Sequence, residues 1–237
     1  MAGEFTGKVI MVTGAAGNLG RAVVARFARE DAKLVLVDRD QARLDQLAAE
    51  TRTESLPAAA ELTQPSAVVE LIKRAEDRFG HIDVLAHTVG GYEAGKPVHE
   101  TDSAVFERML ALNFWPVVTT CGAVAKHMLE HHVAGAIVVV LARAALKGSK
   151  DHGAYTASKA AAQRVVESMA AELRDHGINV NGVMPSTIDT PANREAMPNA
   201  DFSKWVKPAE IADAIAFLAS PAAKAIHGVS LEVYNRA

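Results

Sequence analysis

The feature of this sequence that most narrows its fold is a rhythm. Short runs dominated by Val, Ile, Leu and Ala, without period-two alternation, recur along nearly the whole chain and are separated by stretches with helical spacing. A strand apolar on both faces is buried on both faces, which is the environment of a parallel sheet covered by helices. Residues 8–12, 33–37, 58–62, 84–87, 136–141, 179–184 and 229–234 read as strands, the third with the weakest pattern. Residues 19–29, 40–50, 66–79, 103–130 and 155–175 read as helices, and Pro208 opens a last one. The alternation predicts an α/β, Rossmann-like, doubly wound fold: a mainly parallel seven-stranded sheet flanked by helices, with right-handed crossovers, in a single domain over 1–237. Segment 186–207, rich in Pro, Asn and Asp, is the least regular stretch and follows a strand. Ligands of open parallel sheets bind outside the carboxyl ends of the strands, so this segment is a candidate substrate lid.

Composition excludes several classes of function. The formal charge of −3 offers no electrostatic footprint for a polyanion, so nucleic acid is not an expected partner. Cys121 stands alone, which excludes an intrachain disulfide framework and fits a reducing compartment; as a small buried hydrophobe it needs no further role. No apolar run is long enough to cross a bilayer, and residues 1–7 do not read as a signal peptide. The expectation is a soluble cytoplasmic protein that acts on a small molecule.

At the end of the first strand stands Thr13-Gly14-Ala15-Ala16-Gly17-Asn18-Leu19-Gly20, and a helix follows. Closely spaced glycines let the backbone turn tightly and approach a pyrophosphate, while the helix N-terminus offers free amides and a positive dipole end. A βα turn also needs glycine for geometry alone; the strand before and the helix after favour the binding reading. Asp38 ends the second strand, eighteen residues beyond Gly20. A carboxylate there accepts hydrogen bonds from ribose hydroxyls and repels a 2′-phosphate, or else caps the next helix. The adjacent Arg39 could meet such a phosphate, but the glycine loop holds no basic residue to assist it, so NADH is favoured over NADPH.

Tyr155 and Lys159, four residues apart at the start of a helix, fall on one helix face. An ammonium beside a phenol favours the ionised form and moves it toward neutral pH, which makes Tyr155 a proton donor to a substrate being reduced by hydride. Glycine loop, acidic end of the second strand and Tyr-x-x-x-Lys together resemble the short-chain dehydrogenase/reductase family over essentially the whole chain. The resemblance implies that Tyr155 is the proton donor or acceptor, that Lys159 contacts the nicotinamide ribose, and that Asn113, in Leu110-Ala111-Leu112-Asn113, holds a water in the proton relay. It further implies cofactor contacts from Gly14, Ala16, Gly17, Asn18, Leu19 and Gly20, from Asp38 and Arg39, and from Glu61 and Leu62 beside the adenine. Pro185, Thr187 and Thr190 are similar to the segment beside the carboxamide. A homodimer or homotetramer is also implied.

The departures from the family pattern carry as much information. The middle glycine of the loop is Asn18, a residue that tolerates left-handed backbone. The usual Asn-Asn-Ala-Gly after the fourth strand is His87-Thr88-Val89-Gly90. The substrate-polarising Ser that stands about thirteen residues before the Tyr is replaced by Ala142. Loss of one such donor typically costs about 10²–10³ in rate, unless Ser149 or His152 reaches the site; otherwise His152 is a solvated loop residue. One branch of the family, dihydropteridine reductase, also lacks this Ser. Residues 141–146 and 187–194, continuing through Met197-Pro198 and 200–205, resemble it. A quinonoid ring is already electron-poor and needs less polarisation. The expected activity is therefore NAD(H)-dependent hydride transfer to or from a small carbonyl, alcohol, imine or quinonoid compound, with a non-catalytic NAD-binding protein as the rival. His127, His131 and His132 read as a solvated helix end without a third metal ligand, so no metal is expected. Trp115 reads as packing and Trp205 as a lid residue over the substrate.

Overall fold

The computed structural model describes residues 3–236. Seven strands form one sheet: β1 (Val9–Thr13), β2 (Lys33–Asp38), β3 (Ser55–Ala59), β4 (Val84–His87), β5 (Ala136–Val140), β6 (Asn179–Pro185) and β7 (Ser230–Val233). Their order across the sheet is β3-β2-β1-β4-β5-β6-β7, and all six pairings are parallel. The chain runs outward from β1 to one edge and then returns to build the other half from β4. The crevice between the strand tips of β1 and β4 is thus the topological switch point, where such sheets bind ligands.

The absence of alternation in the strands is explained by two cores. Val9 and Met11 of β1 point to one face, into a cluster with Leu71 of α3 (Pro65–Phe79), Val124 of α5 (Trp115–Glu130) and Val166 of α6 (Gly153–Leu173). Ile10 and Val12 point to the other, against Val23 and Phe27 of α1 (Asn18–Ala28), Leu44 of α2 (Gln41–Thr51) and Ile211 of α8 (Pro208–Ala219). Cys121 lies fully buried in the first cluster, and burial pushes its thiol up to about 12, so it behaves as an inert small hydrophobe. No helix among the described residues is long and apolar enough to cross a membrane.

Several local expectations are corrected. β3 is Ser55–Ala59, three residues earlier than its apolar pattern placed it, because pairing with β2 sets the register from Leu34↔Ser55 to Asp38↔Ala59. Pro57 is tolerated there because β3 is an edge strand. The helix expected over 103–130 is two helices, α4 (Ser103–Asn113) and α5. Pro116 has no amide to donate and its ring collides with the carbonyl four residues back, so the break falls at Phe114. Segment 186–207 is more ordered than its composition implies. It holds α7 (Pro191–Ala196), a 3₁₀ turn at Phe202–Lys204 and a parallel bridge between Ile188 and Val206. Trp115 is half exposed and stacked edge-on with Phe114, whereas Trp205 is buried against Phe202, so Trp205 packs the segment rather than standing over the cleft. Of the three histidines near the end of α5, His131 and His132 are exposed as expected, but His127 is buried.

Candidate active site

The glycine loop leaves β1 and enters α1 with little room for any side chain. Gly14 has φ +69°, in the left-handed region. A Cβ at Gly20 would sit 2.0 Å from the Gly14 carbonyl oxygen, so the helix can lie against the loop only with glycine there. Gly17 is the N-cap of α1 and provides no side-chain cap, which leaves the first-turn amides of Asn18, Leu19 and Gly20 without intrahelical or capping partners. Uncapped amides at the positive end of a helix form a cradle for a phosphate.

Asp38 closes the same crevice from β2. One carboxylate oxygen accepts from the Ala16 amide at 3.1 Å and the other from the Arg39 amide at 2.7 Å. The cap of α2 is Asp40, which accepts from the Arg43 amide, so Asp38 is not held in place by a capping role. Arg39 is exposed. Arg43, which the sequence did not single out, reaches back to donate to the Ala16 carbonyl at 2.5 Å and brings a guanidinium beside the loop. Glu61 and Leu62 follow β3; Glu61 is exposed and holds Thr63, while the buried Leu62 gives its carbonyl to Thr119 at 2.5 Å. Pro185 ends β6, and Thr187 joins the strand-like bridge through its carbonyl. Thr190 uses its hydroxyl to cap α7, accepting from the Asn193 amide at 3.2 Å.

At the tips of β4 and β5 the structure brings Tyr155, Lys159 and Asn113 together. Gly90 sits between the last two: a Cβ on it would lie 2.9 Å from Asn113 Oδ1 and 3.0 Å from Lys159 Nζ. Lys159 is buried and donates to the Val140 carbonyl at 3.2 Å; burial pulls its ammonium down to about 8. Asn113 is committed on every side. Its oxygen accepts from the Gly91 amide, and its amide group donates to the Gly91 carbonyl at 3.0 Å and to Ser158 Oγ at 3.1 Å. The side chain thus pins the Gly90–Gly91 turn to α6 and has no hydrogen left over for a water. Below them His87 is fully buried, its Nδ1 3.0 Å from Thr13 Oγ1; burial, reinforced by Lys159, drives it down to about 3, so it stays neutral.

Tyr155 does not fit the electrostatic expectation. Burial raises its phenol to about 12, and Tyr92 adds to the shift; no lowering by Lys159 accompanies them. The Lys159 ammonium is turned to the Val140 carbonyl, and the Tyr155 ring is packed edge-on to Tyr92, with centroids 4.9 Å apart. In this arrangement Tyr155 is a firmly protonated phenol that still carries its proton but is a weaker acid than a free one. Tyr92 itself is exposed at the mouth, and its hydroxyl lies 2.9 Å from His152 Nε2. His152 is therefore not a free loop residue. Its Nδ1 faces the Lys150 carbonyl at 2.6 Å, which assigns the proton to Nδ1 and leaves Nε2 to accept from Tyr92. Beside this pair opens a cavity of about 260 Å³, with Glu93, Lys96, Asp102, Arg108 and Asp151 on its walls. Tyr92 was legible only as the residue after two glycines, in a chain with three tyrosines.

A family model described as short chain dehydrogenase matches residues 8–201. The chain belongs to this family. Among its relatives are the cis-4-hydroxycyclohexanecarboxylate dehydrogenase of Sinomonas cyclohexanicum and the D-threitol dehydrogenase of Mycolicibacterium smegmatis. The first is 33% identical over 98% of this chain and 97% of the relative; the second is 32% identical over 96% and 91%. A crystal structure of NAD⁺-bound xylitol dehydrogenase superposes with a TM-score of 0.88 at 27% identity, covering 98% of this chain and 99% of that one. This short-chain dehydrogenase is accordingly an oxidoreductase built on the family's seven-stranded sheet. Ala142 is buried just beyond β5.

Proposed function

We propose that this chain is an NAD(H)-dependent oxidoreductase in which Tyr155 passes a proton to or from a small cyclic carbonyl, imine or quinonoid substrate. The observation that carries the substrate class is Ala142: buried just beyond β5, it offers a methyl group where the family resemblance puts the hydroxyl that polarises a simple ketone. A substrate that is electron-poor before it binds does not need that donor. Reduction of a quinonoid dihydropterin is the specific case, supported by the resemblance of 141–146, 187–194, Met197-Pro198 and 200–205 to dihydropteridine reductase.

The residues present fit the dinucleotide. The uncapped amides of Asn18, Leu19 and Gly20 hold the pyrophosphate, and Asp38 accepts from the adenosine ribose with lone pairs left over by its two amide bonds. The same carboxylate disfavours a 2′-phosphate, so NADH is preferred, although Arg39 and Arg43 lie close enough to soften that preference. Glu61 and Leu62 flank the adenine, and Pro185, Thr187 and Thr190 lie along the carboxamide side. The bound nicotinamide supplies or accepts the hydride. Tyr155 donates the proton from its phenol in the reducing direction. Lys159 binds ribose hydroxyls and, once turned from the Val140 carbonyl toward them, brings a positive charge to Tyr155. Asn113 keeps the Gly90–Gly91 turn, and with it Tyr92, in place. Segment 186–207, braced by the Arg194–Asp189 pair at 2.6 and 2.8 Å, covers the substrate as a unit.

A second reading rests on Tyr92. Its ring packs edge-on against Tyr155, and its hydroxyl, once its one hydrogen turns from His152 Nε2 to the substrate, can take over the missing polarising role, which would admit cyclic alcohols and polyols like those in the relatives' names. The test is NADH oxidation with quinonoid dihydropterin beside NAD⁺ reduction with a panel of cyclic alcohols and polyols, each run with Tyr155→Phe. Pterin turnover abolished by Tyr155→Phe supports the first reading, and alcohol turnover that also needs Tyr92 supports the second. NADH binding with no turnover on either panel would identify a non-catalytic binder.

A further inference from the structure

The end of α5 holds a cluster that the catalytic reading leaves unused. His127 and His131 are one helical turn apart, and the structure supplies what their sequence spacing lacked: Glu76, from the neighbouring helix α3, reaches both. One Glu76 oxygen is 3.9 Å from His127 Nδ1, and the other is 3.6 Å from His131 Nε2. All three donor atoms lie within 4.8 Å of one another, and no other group of His, Cys, Asp or Glu among the described residues gathers this closely. Adjacent ligands of a tetrahedral zinc, with bonds of about 2.0–2.1 Å, stand about 3.3 Å apart, so small side-chain rotations would close the set.

Two further observations point to a ligand here. His127 is buried, yet its Nε2 has no hydrogen-bond partner and its Nδ1 is beyond hydrogen-bonding distance of Glu76. A buried imidazole is costly to leave unpaired, and the nitrogen that faces Glu76 and would take the ion is Nδ1, which leaves Nε2 as the N–H. The rings of His127 and His131 also lie with centroids only 4.3 Å apart and planes at 32°, holding two nitrogen donors side by side without a hydrogen bond between them. His131 and Glu76 are partly open to solvent, which gives an ion a way in.

We propose that Glu76, His127 and His131 form a site for one divalent transition-metal ion of the zinc type, tying α3 to α5. Two imidazoles and a carboxylate suit such an ion, whereas magnesium and calcium prefer oxygen ligands. The cluster lies near the C-terminal ends of α3 and α5, which lead into the starts of β4 and β5. It is therefore on the opposite rim of the sheet from Tyr155 and Lys159, and the ion would act on stability rather than on hydride transfer.

The experiment uses tag-free full-length protein, stripped with chelator and titrated with zinc by calorimetry and with cobalt by visible absorption. The expected result is one ion per chain, cobalt bands of nitrogen–oxygen coordination, and a melting temperature that rises with zinc. Outer-shell changes alone lower metal affinity about 10–100-fold, so Glu76→Gln and His131→Ala, which remove ligands, should weaken binding at least about tenfold. The exposed neighbour His132→Ala should bind as the wild type does. Both test positions are partly exposed, so their variants should fold even if His127→Ala does not. No binding by the wild type, equal binding by Glu76→Gln and His131→Ala, or equal loss in His132→Ala would overturn the proposal. Because binding and melting are read without substrate, none of these outcomes depends on the proposed activity.

Discussion

Asp38 and Lys159 both serve the row of strand tips that forms the cleft, yet their charges are held in opposite ways. Asp38 is half-buried, with both carboxylate oxygens taken by backbone amides. Lys159 is buried with one carbonyl as its partner, and burial alone drags its ammonium down to about 8. The Asp38 carboxylate is itself satisfied by backbone amides, one of them in the glycine loop; around Lys159 lie a phenol raised to about 12 and a neutral buried histidine with an unpaired Nε2. The nucleotide end is built to hold a shape. The catalytic end is left under-solvated, so that a ligand rather than the fold completes it, and the stability given up there is what a working site costs.

The sharpest test of that contrast is Lys159→Met. Removing a group of the proton-transfer machinery should lower kcat/KM by about 10²–10⁴-fold. Removing a poorly partnered buried charge should at the same time raise the melting temperature by roughly 2–4 °C. Turnover assays beside thermal melts decide it, and a lower melting temperature would break the contrast. Gly20→Ala probes the other end. Its Cβ would fall 2.0 Å from the Gly14 carbonyl, and such overpacking costs about 1–3 kcal/mol. Both the melting temperature and NADH affinity should fall, the latter about tenfold or more by fluorescence titration.

Asp38→Asn should reduce the preference for NADH over NADPH by about tenfold, since a charge-assisted hydrogen bond is worth roughly 1.5–3 kcal/mol. Binding of the two cofactors measured side by side would show it, and an unchanged ratio would shift the selectivity to Arg39 and Arg43. Tyr92→Phe keeps the edge-on ring and removes only the hydroxyl bonded to His152. On an electron-poor substrate the loss in kcat should be no more than about threefold, whereas on an alcohol a loss nearer 10²-fold would reveal an oxyanion role. A further effect is on stability against pH. Folding lowers Lys159 from its ordinary 10.5 to about 8, so the unfolded chain binds more protons between those values. The wild type should therefore gain stability relative to Lys159→Met as pH rises from about 8 to 10.5, as denaturant melts at stepped pH would show.

Much of the architecture was legible because it depends on local pattern. Doubly buried strands such as Leu34–Val37 have nowhere to lie except inside a covered parallel sheet. Glycine at position 14 reflects a left-handed backbone in the βα turn and glycine at 20 a contact within that turn, and the Tyr155–Lys159 pair reflects one helix face. Expectations failed where a distant partner overrode the pattern. β3 slid to Ser55–Ala59 because β2 set its register, and Trp205 turned inward because Phe202 and the bridge to Ile188 gave it a packed site. The break at Phe114 is different, since Pro116 was visible and its effect on a helix is local.

The sequence by itself determined the family, the order of strands and helices, and the residue types at the crevice, because these follow from periodicity and short-range spacing. Only the tertiary structure decided how those residues are electrically set. Lys159 faces Val140 instead of Tyr155, Asn113 is wholly engaged, and Tyr92 meets His152 across sixty residues. Glu76 reaches a histidine pair on another helix in the same way. Desolvation and hydrogen bonding depend on what surrounds a group in space, and residues far apart in the chain supply those surroundings.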